Sequence, residues 1–177
     1  RKLRCARIKE EGNVYRRELT AMTEREPIFL TDDVPLHPDY PLPDLKDPVM
    51  RPFWEGARQG KLLLQRERRT HRLHWPPKPL YWQEAPLEWF EASGKGRVFS
   101  YVIAYEPFLP AFQHLLPLPL AIVETEEGAR LVTYLVRCRP EDVYFGMPVQ
   151  VVFKRLTSEV VLPVWAPAES TLQGMRG

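Results

Sequence analysis

Nineteen prolines in 177 residues constrain this chain more than any other feature. Each proline fixes its own φ, removes a backbone donor and pushes the preceding residue toward extended geometry. A helical bundle cannot carry that density, whereas strands joined by stiff connectors can. The prolines crowd first into residues 27–47, PIFLTDDVPLHPDYPLPDLKD. That segment is expected to be an irregular arm lying over a surface. Its apolar residues Ile28, Phe29, Leu30, Leu36, Tyr40 and Leu42 would pack on the chain's own body or on a partner.

A helix start follows. Asp47 is a good N-cap and Pro48 suits a first turn. Val49, Phe53, Trp54 and Ala57 recur at helical spacing, Pro52 is tolerable only near the first turn, and Gly60 ends the pattern. Residues 61–66 (KLLLQR) read as a strand. From Trp89 onward the period changes to two, with strands expected at 97–106, 120–125, 130–137, 149–155 and 160–165. Turns fall at 93–96, 126–129 and 157–159, and Arg139-Pro140-Glu141-Asp142-Val143 reads as one helical turn. Five strands with a short helix between the third and fourth outline an OB-type barrel.

A net charge of +2 gives no bulk electrostatic pull toward nucleic acid or membrane. Cys5 and Cys138 show no disulfide spacing, so the expectation is a reduced, cytoplasmic protein. No apolar run nears the roughly 18 residues of a membrane span. The basic N-terminus lacks the apolar stretch of a secretory signal. Residues 1–26 are highly charged and read as a loose helix around 13–22 or as disorder, with Met22 as an alternative start.

Several motifs in order resemble the DUF35 family: FWEG, a strand ending LQR, a ribbon around PPKP, LEW, SGKGRVFSY, a proline-rich loop, AIVETEEG and GMPVQVVF. The resemblance runs from about Val49 to Pro167. It implies an OB fold preceded by a rubredoxin-like zinc ribbon. The whole chain then reads as mainly β: an extension (1–47), a helix plus degenerate ribbon (48–92), a five-stranded barrel (93–167) and a frayed tail (168–177).

The family's ribbon carries two C-x-x-C knuckles, which here fall on Glu67 and Thr70, and on Tyr81 and Glu84. None is a thiol, and structural zinc wants a closed shell of Cys or His. His71 and His74 beside the first knuckle could join the carboxylates in a mixed site, but a fourth good ligand is not evident. The expectation is a metal-free ribbon held by Trp75, Tyr81, Trp82 and Trp89, with prolines lowering the unfolded chain's entropy.

No phosphate loop, G-x-S-x-G or H-E-x-x-H motif is present. Glu124, Glu126 and Glu127 sit at a hairpin tip and read as a solvated turn. His114 reads as a surface or interface residue, and Cys138 as a small buried one. No catalytic residue is assigned. Two surfaces remain. The loop PFLPAFQHLLPLP (107–119) either packs on its own barrel or offers Phe108, Leu109, Phe112, Leu115 and Leu116 to a partner. The basic set Arg66, Arg68, Arg69, Arg72 and Lys78 is a solvated face, a phosphate or coenzyme A contact, or a salt-bridging docking face.

The resemblance implies a non-catalytic subunit that docks on a thiolase-fold enzyme and supports acyl-CoA binding, with no tightly bound cofactor of its own. The residues leave two alternatives, an OB-type nucleic-acid module and a free-standing acyl-CoA binder.

Overall fold

The computed structural model describes residues 26–31, 35–79 and 86–168. The loose helix expected near 13–22 and the tail beyond Ala168 lie outside them. The chain runs β1 (Phe29–Thr31), α1 (Arg51–Arg58), β2 (Leu63–Glu67), β3 (Leu73–His74), β4 (Leu87–Glu91), β5 (Lys95–Ala104), a 3-10 helix (Pro110–Leu115), β6 (Leu118–Thr125), β7 (Arg130–Tyr134), a 3-10 turn (Pro140–Asp142), β8 (Pro148–Arg155) and β9 (Val161–Pro167).

The helix begins later than Asp47. The Asp47 carboxylate instead accepts the Val49 N–H at 2.9 Å, and its carbonyl accepts the Arg51 N–H at 2.9 Å. Asp47 thus closes a turn that leads into α1, and Pro52 falls in the first helical turn, where its missing N–H costs nothing. At the other end Gly60 takes φ +74, and its carbonyl-side neighbour Lys61 donates to Gly56 O at 2.9 Å. A Cβ at Gly60 would lie 2.3 Å from Pro27 Cβ, so this glycine also makes room for the arm.

β2 is the centre of a three-stranded antiparallel sheet, β3-β2-β4. β4 is a strand that the sequence pattern does not announce. The second sheet runs β1-β8-β5-β6-β7, with β9 on β8. Antiparallel pairing holds β5 to β6, β6 to β7 and β8 to β9. A register shift between Val98 and Ser100 bends β5 and helps curl the sheet. Leu135 bridges Trp165 in parallel, and the Val136 N–H donates to Trp165 O at 2.8 Å. That contact draws β7 toward β9 and closes the OB-type barrel. The arm contributes what its prolines did not suggest: β1 pairs in parallel with the far half of β8 through Phe29↔Phe153, Leu30↔Lys154 and Thr31↔Arg155.

Alternation sorts the side chains. In β6, Ala121 and Val123 enter the core while Leu120, Ile122 and Glu124 face out. A single cluster joins Phe53 of α1, Leu62 and Leu64 of the ribbon, and Val98, Leu131, Met147 and Trp165 of the barrel. Ribbon and barrel therefore share one core.

Candidate functional site

At the first knuckle the residues in the family's ligand positions bind each other. The Thr70 hydroxyl donates to Glu67 Oε2. His74 is 8% exposed, and its Nε2 lies 3.0 Å from Glu67 Oε1. A carboxylate only accepts, so that nitrogen carries the proton. The Thr70 bond, then the His74 bond and charge, with a smaller contribution from Arg72, hold the Glu67 carboxyl below its ordinary range against the opposing effect of burial. The backbone completes the knuckle: Glu67 N–H donates to Arg72 O at 3.0 Å, and His71 N–H to Glu67 O at 2.9 Å. His71 sits at φ 58, its side chain outside this network and exposed.

Glu67, Thr70 and His74 do not make a zinc shell. A hydroxyl is a poor ligand and the carboxylate is already occupied by two donors. Among the described residues no three His, Cys, Asp or Glu side chains stand together as a metal would need. Tyr81 and Glu84, the second pair, and Trp82 lie outside the described residues.

Sequence reading missed the residue that fastens the proline run. Gln65 is 1% exposed. Its Oε1 accepts the Lys78 N–H at 2.7 Å and its Nε2 donates to Lys78 O at 2.9 Å. A buried glutamine that copies a strand's two hydrogen bonds leaves no trace in periodicity. Trp75 packs on Phe53 with ring centroids 4.9 Å apart, and Trp89 also packs against the main core.

The basic set divides. Arg66 bonds Glu88 at 2.8 Å and lies over the Phe90 ring at 4.5 Å, and Arg68 approaches the same carboxylate at 3.6 Å. Lys78 is half-buried. Arg69 and Arg72 are exposed at the knuckle tip.

The loop divides too. Phe112 is 9% exposed, stacked between Tyr40 of the arm at 5.1 Å and Phe108 at 4.7 Å, and Leu115 and Leu116 are half-buried. Of the five, only Phe108 (58% exposed) and Leu109 (41%) keep a large open surface. The 3-10 helix Pro110–Leu115 turns Ala111 and Phe112 inward, which the proline spacing alone did not reveal. Beside it, a cleft of ≈ 200 Å³ is lined by Thr31, Leu36, Tyr40, His114, Lys154 and Arg155.

The hairpin tip is more than a solvated turn. Glu127 accepts the Ser93 N–H at 2.6 Å and so ties β6–β7 to the turn before β5. Burial acts to raise its pKa, but hydrogen bonds led by that of Ser93 prevail and lower it. Cys138 is half-buried, and burial, with the charges of Asp142 and Glu141, pushes its thiol up to about 11. It stays protonated near neutrality and is a poor nucleophile.

The fold and site define an OB-fold protein carrying a ribbon whose first knuckle is closed by hydrogen bonds. A family profile for the ChsH2 C-terminal OB-fold domain matches residues 89–154. Among solved structures, a chain of the Ltp2-ChsH2(DUF35) aldolase is 35% identical with a TM-score of 0.62, and the match covers 71% of this chain and 98% of that one. The chain belongs to the DUF35 family. It is also 40% identical over 119 residues to the probable enoyl-CoA hydratase alpha subunit of Thermomonospora curvata, which covers 66% of this chain and 37% of the relative. A DUF35 domain-containing scaffold protein of Methanocaldococcus jannaschii is 44% identical over 68 residues, 38% of this chain and 47% of that protein. The chain thus spans less than half the length of these curated relatives.

Proposed function

We propose that this chain is a non-catalytic accessory subunit that docks on an acyl-CoA-processing enzyme of thiolase fold and supports acyl-CoA binding there. One observation carries the reading: this chain covers nearly the whole of the 35%-identical chain in the Ltp2-ChsH2(DUF35) aldolase. The scaffold and hydratase-subunit names of the other relatives agree with it. In this reading Phe108 and Leu109, on a loop that loses little entropy on docking, meet the enzyme. Arg69 and Arg72 meet the phosphates of coenzyme A, and the ribbon holds no zinc. A nucleic-acid role is less well supported. OB folds bind strands across the outer face of their second and third strands, with stacked aromatics. Here that face, on β6 and β7, presents Ile122 and Val132.

Purification of the native full chain, with mass spectrometry of what accompanies it, tests the proposal. The expected result is an acyl-CoA-processing enzyme in fixed stoichiometry, more active with the chain than without it, and no acyl-CoA turnover by the chain alone. Turnover by the isolated chain, or its purification without such an enzyme, would overturn the reading.

A further inference from the structure

We draw no further inference here: the strongest candidate, the cleft between the arm and the end of β8 that Tyr40, His114, Lys154 and Arg155 line, carries nothing because Asp32 and Asp33, which follow its lining residue Thr31 in sequence, lie outside the described residues, and nothing in the structure shows what its cations face.

Discussion

In the barrel, order comes from apolar burial. Trp165 is 1% exposed at the centre of a cluster that includes Val98, Val123, Met147 and Val149. In the ribbon, Leu62 just before β2 and Leu64 within it are almost fully buried in that same cluster, and Leu73, Trp75, Trp89 and Phe90 pack against it only in part. From Gln65 onward polar contacts join this partial packing: the Gln65 clamp on Lys78, the Arg66–Glu88 pair, and the Glu67–Thr70–His74 network. A ribbon of this size cannot build a core of its own. Rooting its first strand in the barrel leaves a few directional bonds to fix the first knuckle.

The contrast can be broken from either side. The largest effect is expected from Trp165→Ala, which empties the shared core. It should cost about 3–5 kcal/mol, read as a lower urea midpoint at unchanged slope, with ribbon and barrel unfolding together. Loss of one region while the other melted normally would show that the core is not shared. Trp75→Ala removes a partly buried ring packed on Phe53 and should cost less, about 2–3 kcal/mol. The damage should stay local: limited proteolysis between residues 66 and 86 accelerates while barrel amides keep their protection. Equal cleavage of variant and parent would mean that the ring does not hold the ribbon.

A smaller effect follows from acid. The folded-state pKa of Glu67 is lowered, so its contribution is fully present above the unfolded value, about 4.3, and is lost as pH falls through the lower folded value. Proteolysis at the knuckle should therefore speed up below about pH 4.3, and this step should be missing in Glu67→Gln, which cannot titrate. A step of the same size in the variant would remove Glu67 from the account. The smallest effect is expected from a chelator. Washed protein should hold far less than one zinc per chain, and its melting temperature should move by no more than about 1 °C. A structural zinc bound at the usual strength would shift it far more.

How much of this was legible depended on how local the cause was. The order of the five barrel strands was readable because alternation is local, as in Leu120 to Thr125. The turn at Pro140–Asp142 and the stripe from Phe53 to Ala57 were readable for the same reason. β1 was not: three residues between prolines carry no period, and only the edge of β8 makes them a strand. The sequence left Phe112 either on the chain's own body or on a partner, and the contact that packs it, with Tyr40 far away in sequence, is not local. The knuckle was half legible. The sequence puts Glu67 and Thr70 where the family's thiols stand, while the bond between them emerges only when the turn brings them together.

That turn also changes how the chain meets oxidants. Thiolate knuckles lose their metal when their sulfurs are oxidised, so a cysteine ribbon is open to redox damage. The first knuckle here holds a carboxylate, a hydroxyl and an imidazole, none of which climbs the sulfur oxidation ladder. Cys138, the thiol among the described residues, is protonated and stands after β7 on the barrel. Peroxide that would open a cysteine knuckle should leave this one closed, and the tip carrying Arg69 and Arg72 should keep its shape through oxidative stress.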